Sequence, residues 1–133
     1  MIRLNAFLTI VFFIASCTKP TGIKEVVLGA DSVAVSFFKG DGSIDPVVKV
    51  TILRERKDLE KLSGYMESGR TQNFKCGYDG SLHFFKKDIV LKEVDFRMND
   101  ADCMHFSFLL EGKLYNTSLS AEAKQFLGSI NKK

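Results

Sequence analysis

The chain has 133 residues, 45% hydrophobic and 26% charged, which bounds it to one folded domain and excludes disorder over most of its length. Its formal charge of +3 comes from interspersed basic and acidic residues, too weak and too mixed for a nucleic-acid surface. Twelve phenylalanines and no tryptophan predict a core of phenyl rings, which bury much area and need no polar partner.

The N-terminus reads in three parts. Arg3 is a positive start, Leu4 to Ile14 is apolar apart from Asn5 and Thr9, and Ala15 and Ser16 are small residues placed before Cys17. An apolar helix of that length reaches about 16 Å at ~1.5 Å per residue, against a bilayer core of about 30 Å. It is therefore too short to span a membrane and fits the apolar region of a secretion signal.

Ile14-Ala15-Ser16-Cys17 resembles the lipobox of bacterial lipoproteins. The resemblance implies that residues 1–16 are removed and that Cys17 carries a diacylglyceryl group on its thiol and usually an acyl group on its amine. Several chains at ~0.8 kcal/mol per buried CH₂ would make release from a membrane very slow. Thr18 stands where an aspartate often retains such proteins at the inner membrane of Gram-negative bacteria, so the resemblance implies the outer membrane. Residues 17–24, with Pro20 and Gly22, read as a lipidated tether of roughly 20 Å. Residues 25–133 read as one domain.

Val33 to Phe38 alternates like a strand. Lys39 to Pro46 (KGDGSIDP) is turn chemistry, and Val47 to Leu53 is a β-branched strand with Val48, Val50 and Ile52 on one face. Arg56 to Ser68 changes to helical period through Leu59, Leu62 and Met66, and Gly69 is placed to end the helix. Arg70 to Phe74 is a polar linker. Four short strands follow: Ser81 to Lys86, Ile89 to Met98, Cys103 to Leu110, and Leu114 to Thr117, with turns at Lys87-Asp88, Asn99 to Asp102, and Glu111 to Lys113. Ser120 stands at an N-cap position, and Ala123, Phe126, Leu127 and Ile130 mark one face of a last helix.

These elements predict an α+β fold: an antiparallel meander sheet of about five to six strands with two helices packed on one face. From the second strand onward the order is similar to the helix-on-sheet unit of the TATA-box-binding-protein-like fold, a likeness of topology that carries no function.

With Cys17 assigned to lipid, Cys76 and Cys103 remain as an even pair. In an oxidising compartment such a pair reads as a disulfide. The rival readings are two free thiols, or a metal site completed by His83 or His105, although Cys103-x-His105 is not a strong zinc spacing. The series Cys76, Asp79-Gly80, Cys103, His105-Phe106, Gly112-Lys113, Tyr115 and Leu119-Ser120 resembles small uncharacterised lipoproteins of Gram-negative bacteria, which have no established activity to carry over.

Other constellations are weaker. Asp41 and Asp45 hint at calcium, but the twelfth position of an EF-hand loop counted from Asp41 is Ile52, inside a strand. Asp100 and Asp102 read as turn formers. His83 and His105 would share a sheet face with Cys103 if the strands pair in the right register. No GxSxG, P-loop or dinucleotide motif is present, and no histidine–acid partnership is evident. An enzyme would need a concave pocket gathering His83, His105 and an acid.

The expectation is thus a membrane-anchored, non-catalytic binding or structural module without a cofactor, with no nucleic-acid partner and an envelope protein as its possible partner. The alternative is an inhibitor of an envelope-attacking enzyme such as a lysozyme. Asn73-Phe74-Lys75-Cys76 followed by Asp79-Gly80 resembles the opening of membrane-bound lysozyme inhibitors, whose all-β barrels and serine- and glycine-rich loop have no counterpart in this pattern.

Overall fold

The computed structural model describes residues 21–39 and 47–133. Cys17 with its lipobox, and Asp41 and Asp45 of the loop before the second strand, lie outside the described residues. The elements run α1 (Ile23–Val27), β1 (Ser32–Phe38), β2 (Val47–Leu53), α2 (Arg56–Ser68), β3 (Gly80–Lys86), β4 (Ile89–Arg97), β5 (His105–Leu110), β6 (Lys113–Ser118) and α3 (Ala121–Asn131). The six strands form one antiparallel sheet in the order β2-β1-β3-β4-β5-β6. The α+β class, the antiparallel sheet and the helices packed on it are as the sequence predicts. Strands β3 to β6 are a meander, while β1 lies between β2 and β3, so α2 belongs to a long crossover.

Alternation decides which face is dry. Val33, Val35 and Phe37, Leu82 and Phe84, Val94 and Phe96, and Phe106 and Phe108 all point to one side. There they meet Leu59, Leu62 and Met66 of α2, and Ala123, Leu127 and Ile130 of α3. Phenyl rings do fill this layer: Phe84, Phe96 and Phe106 are fully buried, and Phe37 meets Phe96 edge-on at 5.9 Å. Two tight hairpins fix the meander. Lys87 and Asp88 adopt φ of 49° and 65°, and Glu111 and Gly112 adopt 50° and 77°, the positive pair that a two-residue turn needs to match strand twist.

The described residues hold three helices where the sequence reading has two. Residues 21–24, read as the end of the tether, are packed into the domain. Ile23 and Val27 of α1 are fully buried. The Glu67 carboxylate of α2 accepts from Thr21 Oγ1 at 3.1 Å, Gly22 N at 3.1 Å and Lys24 N at 3.2 Å. A five-residue helix is too short to show a period, which is why the sequence pattern misses it. Gly69 also differs in its reason. It ends α2 in extended backbone (φ −66°, ψ 145°) and not in a left-handed cap. Its missing side chain lets the chain pass against β6, where a Cβ would strike Ser118 O and Thr117 Cβ. Among the described residues no helix is long and apolar enough to cross a membrane.

Candidate functional site

The second face of the sheet carries Ser81 and His83 on β3, Glu93 and Asp95 on β4, His105, Ser107 and Leu109 on β5, and Leu114 on β6. No helix covers it. A strap from Gly69 to Asp79 folds round the β6 edge and crosses part of it. Ser118 N donates to Arg70 O at 2.8 Å and Gln72 N to Asn116 O at 2.9 Å, so the strap begins by pairing with β6. Phe74 then lies flat on His105, ring centroids 4.5 Å apart and planes 7° apart, with Tyr78 tilted at 5.7 Å.

The strap is fastened twice. Cys76 and Cys103 form a disulfide with Cα atoms 6.6 Å apart. At the end of the strap, Asp79 is only 2% exposed and its carboxylate accepts from Met98 N (2.7 Å), Asn99 N (2.8 Å) and Arg97 Nη1 (3.1 Å). Gly80 then enters β3 at a point where a Cβ would strike the Phe96 ring and Ser36 O. Asp100 and Asp102 are turn residues, with Asp102 N donating to Asp100 Oδ1 at 3.1 Å.

The two histidines share this face, as the register requires, and take different roles. His105 is 1% exposed beneath the strap, and its Nδ1 donates to Cys103 O at 2.8 Å. Its ring nitrogen and both sulfurs lie within 4.8 Å of one another, the geometry of the metal reading, but sulfurs joined to each other offer no thiolate. His83 remains half-open. Its Nε2 is 2.7 Å from Glu93 Oε1 across the β3–β4 ladder, and its Nδ1 is 3.5 Å from Ser81 Oγ. A histidine–acid pair is thus present, which the sequence pattern does not reveal. Ser81 is only 5% exposed between its strand neighbours, so its hydroxyl is closed to a substrate.

Asp95 lies between the histidines, cross-strand from Ser81 on one side and Ser107 on the other. Burial pushes its carboxyl above the usual range and the negative charge of Glu93 adds to this, while His83 and His105 oppose it. Beside it opens a cleft of about 450 Å³, lined by Tyr78, Glu93, Asp95, Ser107, Leu109 and Leu114 among others. Neither histidine lines it. Leu109 and Leu114, both well exposed, are its apolar wall. The arrangement offers two carboxyls, a phenol and a hydroxyl against hydrocarbon, which suits a ligand with donor groups on an apolar body.

Cys76, Cys103 and His105 are therefore brought together, and His83 is held apart from them by its own acid. Tyr78, Glu93, Asp95, Ser107, Leu109 and Leu114 are the residues that sequence reasoning does not single out. No protein family matches this chain, and neither does any curated protein or any solved structure.

Proposed function

We propose that this chain is a lipoprotein of the Gram-negative envelope, anchored through Cys17 to the outer membrane, and that its domain is a non-catalytic module binding a partner in the cleft of the open sheet face. The cleft beside Asp95 is the observation that carries the binding reading: it is concave, walled in part by hydrocarbon, and edged by carboxyl and hydroxyl groups that can hold a proton donor. The lipobox residues Ile14 to Cys17 support the anchor.

The binding reading is tested by a photo-reactive amino acid placed at Leu109, in the cleft, and at Lys124, on the exposed side of α3, in the full chain expressed in a Gram-negative host. Discrete adducts from position 109 and none from 124 are expected, with the 109 adducts weakened by Asp95→Ala. Equal labelling from both positions, or none from 109, contradicts the proposal.

A further inference from the structure

The two edges of the sheet are treated differently. The outer edge of β6 is paired by Arg70 to Gln72 of the strap. The outer edge of β2 has no partner strand among the described residues. On the open face β2 carries Val48, Val50 and Ile52, which are 61%, 56% and 50% exposed. Exposed β-branched residues on an unpaired edge are a template for another strand, and proteins usually guard such edges with charge. The single charged residue of β2, Lys49, gives no guard: its side chain turns to the helix face, where Nζ donates to Asn131 O at the end of α3.

We propose that β2 pairs antiparallel with β2 of a second copy of this chain, about a two-fold axis through Val50. The strand is complementary to itself in that register. Val50 faces Val50 of the second copy, Val48 faces Ile52, and Lys49 faces Thr51, so the open face joins six aliphatic side chains and no like charges oppose each other on the other face. The two sheets become one, continuous across the axis. The regular part of the pairing is residues 49–51, with Val48 and Ile52 at its margins, because a bulge in β2 sets Val47 and Val48 together opposite Phe38. It is independent of the anchor and of the cleft, which lies toward β4–β6.

Single cysteines at Val50 and at Ile52 in the full chain test this, cross-linked in intact cells by a thiol reagent spanning about 5 Å, the separation of directly opposed side chains. Both positions are exposed, so the substitutions leave the core untouched. The expected result is a covalent dimer from Val50→Cys, joined at position 50 by peptide mapping, and about tenfold less from Ile52→Cys, whose copies lie roughly 13 Å apart along the strand. Co-expressed Val48→Cys and Ile52→Cys chains cross-link to each other. Equal yields at 50 and 52, no dimer at 50, or an adduct of Val50→Cys with a different protein overturns the proposal. Because the reagent acts before fractionation, failure of the anchor does not alter the readout.

Discussion

Asp79 shows how much one side chain decides in this domain. It accepts two backbone amides and the Arg97 guanidinium from a position with almost no solvent, fixing the end of the strap to the turn after β4. Asp79→Ala leaves the buried Met98 amide and the largely buried Arg97 guanidinium without their acceptor, and costs about 3–5 kcal/mol in denaturant unfolding. Thr117 is the opposite case. Its hydroxyl is buried with no hydrogen-bond partner among the described residues. Thr117→Val keeps the shape and removes the desolvated group, so stability rises by roughly 1 kcal/mol. Asp95 gives a pH signature. Its folded carboxyl holds its proton above the unfolded value, chiefly through burial. Ionisation therefore opposes folding: the penalty is absent below the unfolded pKa and complete above the raised folded one. Asp95→Asn melts higher than the wild type at pH 7, and the difference closes by about pH 3. A gap that widened toward acid would reverse the sign assigned here.

At the scale of elements, the disulfide-held strap is what makes an open sheet face into a cleft. Reducing Cys76–Cys103, or replacing both with serine, removes a loop constraint over a separation of 27 residues and costs about 3.5 kcal/mol in the chain-entropy model. Phe74 then leaves His105, and the loss of the stacked phenyl ring is readable as a displacement of the histidine ring's NMR resonances. The regular elements were legible because their causes are local: α2 coincides with its periodic stretch, Ser120 Oγ accepts from Ala123 N at 3.1 Å, and two-residue turns close both later hairpins. The candidate site was much less legible. A two-residue turn at Lys87-Asp88 would set His83 opposite Lys92, but the bulge at Phe84/Phe85 shifts the register by one and brings Glu93 there instead. The cleft depends equally on a strap that crosses the sheet by a contact between Phe74 and His105, 31 positions apart, for which no local pattern exists. Val48, Val50 and Ile52 alternate correctly, yet alternation does not say which face of an edge strand is covered.

Over the whole molecule, the sheet divides the work. One face, with three helices and the phenyl layer, holds the fold; the other carries the acids, the cleft and the exposed β2 stripe. This separation leaves polar and apolar surface available without weakening the core, as the proposed binding role requires. The proposed anchor would place that surface close to a membrane, since the packed structure already begins by Thr21 and leaves only residues 17–20 between lipid and domain. The most direct measurement is the intact mass and N-terminal peptide of the full chain expressed in a Gram-negative bacterium. The account predicts a polypeptide that starts at Cys17, carries a diacylglyceryl thioether and an amide-linked acyl chain, and leaves the membrane fraction in Cys17→Ala. An N-terminus elsewhere, or an unmodified Cys17 on a chain that still partitions with membranes, would contradict it.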